Sequence, residues 1–255
     1  MKIRRLLFLS TCVAFLSLFL SYQHPVLAQI AREDYLIKRD YYLKKHQEYL
    51  TARQTYLNYQ TFQTKEELIR KLRQFLIARD EFLRVYLLVL LGRGESLLSE
   101  SDLVEIKDWI DWLDQDLRQV GSIESLEELL VFANRLKNVY PEIEESVFVF
   151  LTKLTISQQE EIAGKIKQLI VEISGRASVS EHHSIFPWLS EISDQLRLIE
   201  EKQEVALEAI KEAQGKRRGT VKSAWRKSKK FLIQANLQLK EVVDFLDEII
   251  TNLED

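Results

Sequence analysis

From Leu189 to Leu253 the apolar residues return in steps of three and four, and that period admits one kind of structure. Leu189, Ile192, Leu196, Ile199, Gln203, Ala206, Ile210 and Ala213 form one stripe. After a break from Gly215 to Gly219, Val221, Trp225, Ser228, Leu232, Ala235, Leu239, Val242, Leu246, Ile249 and Leu253 form a second. Such a stripe runs along one side of an α-helix, and a seven-residue repeat keeps it facing a single partner helix. Two arms around a short turn predict an antiparallel helical hairpin. The second arm, about 34 residues, should measure roughly 50 Å.

The rest of the chain carries the same pattern. Only seven glycines and three prolines interrupt 255 residues, which suits long helices and disfavours strands. Tyr35-Leu36, Tyr42-Leu43, Tyr49-Leu50 and Tyr56-Leu57 repeat every seven residues, the period of a coiled-coil seam. Thr64 with Glu67 reads as a capping box opening a second helix that Gly92 and Gly94 end. A third helix is expected over about 102–120 and a fourth from Leu126 onward, capped by Ser122 or Ser125. Its phase passes through Pro141, where a kink or tight restart is expected. Ser157 with Glu160 marks a further start, Gly175 an end, and residues 175–186 a loop. The expected fold is all-α, an elongated antiparallel helical bundle. Its divisions are a signal segment (1–28), a bundle with a Tyr-rich first helix (29–175) and the hairpin (176–255).

Lys2, Arg4 and Arg5 precede an apolar run from Leu6 to Leu20, and Val26-Leu27-Ala28 follows. A positive start, a short apolar segment and small residues at −3 and −1 are the layout of a cleaved secretory signal, with cleavage after Ala28. The run falls short of the ~20 residues of a spanning helix, so a retained anchor is the weaker reading. The destination is then outside the cell membrane: secreted, periplasmic or at the cell surface. The only cysteine, Cys12, lies inside that segment, so the exported chain has no thiol for a disulfide or a metal. Without the three signal bases, 33 basic residues face 39 acidic ones, a net charge of −6. A global attraction to nucleic acid is absent.

Two groups of residues stand out as binding candidates. Arg39, His46 and Arg53 lie three or four residues from the Tyr-Leu pairs. With Arg79 on the second helix, Tyr35, Tyr42, Tyr49 and Tyr56 suit either a groove for an anionic or aromatic ligand or a helix–helix seam. Gly215 to Lys230 holds eight basic residues and no acid; among them Lys216, Arg217, Arg218, Lys222 and Arg226 suit an anionic lipid or wall polymer. Against that, folding the hairpin about residue 217 would set Glu212, Glu208 and Glu204 near Lys222, Arg226 and Lys230.

Catalytic and metal signatures are missing. Asp108, Asp111 and Asp114 lack the glycine turn of a calcium loop, and His182-His183 has no third ligand motif. Neither a phosphate-binding glycine loop nor a nucleophile elbow occurs. No cofactor is expected.

The Tyr-Leu repeat, with Arg79-Asp80, Leu83 and Tyr86, resembles secreted all-helical proteins of bacteria over residues 34–91, a resemblance that implies no activity. The long helices are also similar to the sensor bundles of bacterial receptors, though the second membrane helix of those is missing. The expectation is an exported, non-enzymatic bundle that acts through its helical faces as an envelope-associated structural or adaptor module, pairing with a protein partner or with itself. Two alternatives stand beside it. One is a periplasmic-type ligand-binding bundle using the tyrosine seam; the other is a membrane-active protein inserting Val85 to Leu91 or Val147 to Leu151.

Overall fold

The structure is a computed structural model that describes residues 25–180 and 183–254. Most of the expected signal segment falls outside those residues, and Ala28 lies within the first described helix. Six helices follow in order: α1 (Pro25–Tyr59), α2 (Phe62–Gly94), α3 (Glu100–Ser122), α4 (Leu126–Ser180), α5 (Phe186–Lys211) and α6 (Arg218–Glu254). A single 3-10 turn, His183–Ile185, precedes α5. No strand occurs among the described residues. The fold is all-α.

The chain divides into two compact units, one over His24–Phe150 and one that includes Leu151–Asp255. The division falls inside α4, not at 175/176, because Ala163, Ile166 and Ile173 of that helix join the core made by α5 and α6.

In the first unit α1 and α2 form a helical hairpin. Gln60 closes α1 in the left-handed region at φ 45°, with its N–H donating to Tyr56 O at 2.8 Å. Thr61 then caps α2: its hydroxyl accepts from Thr64 N–H at 3.2 Å, and Thr64 Oγ1 accepts from Thr61 N–H at 3.0 Å. The box is therefore Thr61/Thr64, one turn earlier than expected. Glu67, the expected partner, instead takes Arg70 at 2.6 Å. Ser99 caps α3 through Asp102 N–H, and Ser125 caps α4 through Glu128 N–H. The core joins Leu68, Leu72 and Leu76 of α2 to Val120 of α3 and to Leu126, Leu129 and Phe132 of α4.

Helix α4 runs unbroken for 55 residues through Pro141, Ser157 and Gly175. The expected restart at Ser157 and stop at Gly175 do not occur. Apolar residues keep the helical period across both points, from Leu154 through Ala163 and Ile173 to the fully buried Ala177, and that burial outweighs the weak stop signal of one exposed glycine. The loop expected over 175–186 is reduced accordingly; His182 lies outside the described residues.

In the second unit α5 and α6 pack along their whole stripes, with Ile192, Ile199, Ala235 and Ile249 fully buried. Each large aliphatic side chain so buried contributes about 1.5–3 kcal/mol. Gly215 at φ +69° turns the chain between the arms, a conformation that glycine adopts at low cost. Gln238 of α6 donates to Gln195 of α5 and accepts from Lys202, and Trp188 lies 6.4 Å from Phe245, so the arms pair about an axis close to the expected residue 217.

Candidate functional site

The Tyr-Leu pairs of α1 part company. Neighbouring residues on a helix do not share a face, and the structure sends each tyrosine to α2 and the leucine that follows away from it. Tyr35 meets Phe82 and Tyr86 at centroid separations of 5.4 and 5.6 Å. Tyr42 lies 5.8 Å from Phe75 and 5.5 Å from Phe82, and Tyr49 stacks on Phe75 at 5.3 Å. His46 joins them 5.0 Å from Phe75, and Tyr56 packs on the core below. This is a helix–helix seam of stacked rings. Arg39 and Arg53 are exposed outside it, Arg39 against its neighbour Asp40 at 3.0 Å. Arg79 is turned toward α3 and α4 beside Trp112 and Tyr140. The predicted groove residues are therefore not gathered around one space.

The leucines form a second stripe. Leu43, Leu50 and Leu57 are 52%, 40% and 50% exposed, seven residues apart on the outer side of α1. Beside them Lys44, Gln47 and Thr51 of α1 and Gln63, Thr64 and Lys71 of α2 edge an open groove. Across that groove Lys71 and Lys45 hold Glu48 at 2.6 and 3.1 Å, and their hydrogen bonds pull its carboxyl down to about 2.

Inside the first unit lies a pair of carboxyls that the sequence reading passed over. Asp80 of α2 is completely buried and Asp116 of α3 is 2% exposed. Arg79 Nε and Nη2 donate to Asp80 Oδ1 at 2.9 and 2.7 Å, and Arg135 Nη2 donates to Asp116 Oδ1 at 2.6 Å. The second oxygen of each, Oδ2, has no conventional donor. The two carboxyls are near enough to influence each other, and two such acceptors can bond only if one holds a proton. Burial drives the Asp80 carboxyl up to about 7, against the pull of Arg79, and burial also raises Asp116. Burial thus favours a proton on the pair, and one held between the two carboxyls would satisfy both orphaned oxygens. The void beside the pair, between Leu83, Trp112 and Ile143, has room for about one water.

At the hairpin tip Lys216, Arg217, Arg218, Arg226, Lys227, Lys229 and Lys230 are exposed. Among the described residues the expected Glu208–Arg226 and Glu204–Lys230 pairs do not form, while Arg218 and Lys222 are engaged in other interactions.

Among the described residues no group of three histidine, aspartate or glutamate side chains is placed to hold a metal ion, and no helix is long and apolar enough to cross a membrane. In the segments considered for insertion, Leu87, Leu90, Val147 and Phe150 are buried. No protein-family model, curated protein or solved structure matches this chain.

Proposed function

We propose that the protein is an exported, non-enzymatic helical-bundle adaptor that works at an anionic envelope surface. The observation that supports this most is the hairpin tip. Seven exposed cations between Lys216 and Lys230 lie in a stretch without an acid, and the glutamate pairs expected for Arg226 and Lys230 do not form among the described residues. Each such residue near an anionic surface contributes about 1 kcal/mol, screened by salt. The helical faces then remain for a protein partner, while the tip holds the bundle in place.

The test is co-sedimentation of residues 29–255 with phosphatidylglycerol vesicles, phosphatidylcholine vesicles and isolated envelopes across a salt series. Binding to the anionic surfaces should fall steeply between low and high salt. A Lys216→Glu/Arg217→Glu/Arg218→Glu variant should lose most of it with an unchanged helical melt. Equal binding to neutral vesicles, or a variant that binds as well as the parent, would refute the reading.

A further inference from the structure

We propose that the leucine face of α1 is a docking seam for an amphipathic helix of another protein, leucine-lined along its contact stripe and acidic on both flanks. The inference deepens the adaptor reading by naming the chemistry of the partner, and it uses a different surface from the basic tip.

The seam has the apolar d row of a coiled-coil half, with polar residues in its a row. Leu43, Leu50 and Leu57 take the d positions, with Asp40, Gln47 and Gln54 at the a positions, three residues before each leucine. All six are exposed. Another side of the helix already has its partner, since Tyr42 and Tyr49 are stacked on Phe75 of α2, with His46 at the boundary between the two faces. One helix thus carries two seven-residue seams, one filled and one open. A repeat of seven is what a helix needs to keep contact with another helix along its length, whereas a scattered set of surface leucines would need no explanation.

Charge selects the occupant. The flanking e and g positions are Lys44, Thr51 and Asn58 on one side and Arg39, His46 and Arg53 on the other. No acid stands among them, and Lys44 and Arg53, one on each flank, make no ion pair among the described residues. The nearest acids are already paired: Asp40 with Arg39, Glu48 with Lys45 and Lys71, and Glu67 with Arg70. A second copy is a poor fit. Paired in parallel, Arg39 at g would meet Lys44 at e of its twin, twice over, and Asp40 would stack on Asp40. Paired antiparallel, Arg39 would approach Arg53. Like charges at these positions select against self-pairing, and acidic flanks on a foreign helix would complement all of them. Gln47 and Gln54 in the a layer would set the register, as buried polar a residues do.

The experiment uses the full chain and two labelled synthetic helices of equal length. Both carry leucine at d and asparagine at a; one has glutamate and the other lysine at e and g. Fluorescence anisotropy at low salt should show the acidic helix binding at least tenfold tighter than the basic one, with the advantage fading as salt rises. A Leu43→Glu/Leu50→Glu variant should lose that binding at least tenfold while its thermal melt holds, because both positions are exposed. The Lys216→Glu/Arg217→Glu/Arg218→Glu variant should bind the helix as the parent does, so failure at the tip and failure at the seam read separately. Equal affinity for both helices, no binding of either, or binding indifferent to the leucine changes would overturn the proposal. So would a dimer in sedimentation equilibrium that the leucine changes dissolve, since the seam would then belong to a second copy.

Discussion

The two compact units bury polar groups in opposite ways. Around α2 and α3 the interior holds two carboxyls, each bound on one oxygen by an arginine, and both need a common proton to be fully bonded. Around α5 and α6 the interior holds neutral amides. Gln159 of α4 donates to Leu232 O and to Asn236 Oδ1 at 3.0 and 2.9 Å, and accepts from Gln203 Nε2 at 3.0 Å. An amide carries donor and acceptor at every pH, so this network is closed by geometry alone. The carboxyl pair is closed only while solution conditions leave a proton on it. Both devices restrict which residues can lie opposite one another, but only one of them reports pH.

The largest effect should come from converting one device into the other. Asp80→Asn keeps the shape of the side chain, leaves Oδ1 for Arg79 and gives Asp116 a permanent donor. In the parent, Asp80 rises from 3.8 to about 7 on folding. The folded chain therefore holds a proton that the unfolded chain releases, and the contribution of this group to stability is fully present below pH 3.8 and drains away as pH climbs toward 7. That shift corresponds to roughly 4 kcal/mol between the two ends. Urea melts at pH 4 and pH 8 should show the parent losing several kcal/mol relative to the variant as pH rises. Parallel pH profiles would mean that Asp80 does not hold the proton. Second in size is Arg79→Ala, which removes the cation paired with Asp80. It should cost on the order of 3 kcal/mol at pH 8, because an unpaired buried carboxylate is expensive. The loss should shrink at pH 5, where Asp80 is neutral; a pH-independent loss would point to lost packing of the arginine stem instead.

How far these features can be read from the sequence follows from what each depends on. The α5/α6 hairpin is legible because its apolar period is uninterrupted and its turn has a glycine. Its register about residue 217 is legible too, shown by Gln195 opposite Gln238 and Trp188 opposite Phe245, but its ion pairs are not, since long exposed side chains gain little from holding one partner. The α1/α2 corner was misplaced by one turn because a glutamine, Gln60, takes the left-handed position where glycine is the usual signal. The Tyr-Leu repeat showed its period but not its split, as two adjacent residues point about 100° apart and only packing decides which turns inward. Asp80 and Asp116 did leave a trace. Asp80 stands four residues after Leu76, and Asp116 three after Leu113, each on the apolar stripe of its helix. A carboxylate in such a place is either a solvated edge or a buried partner, and one dimension cannot pair it with another helix.

The smallest effect should come from the amide layer. Gln159→Ala removes the hub, leaving Gln203 Nε2 without its acceptor and Asn236 Oδ1 without its donor, next to the buried Ala206 and Leu232. Unsatisfied groups of this kind cost about 1–3 kcal/mol, less than an unpaired charge because a dipole loses less on leaving water. Asn236 is exposed enough to recover part of its bonding from solvent, which sets the expected loss toward the lower end of that range. The informative reading is its flatness: melts of Gln159→Ala and the parent should stay the same distance apart from pH 4 to pH 8. A gap that widens with pH would mean that the second unit also contains a proton-dependent contact, and the contrast between the two interiors would fall.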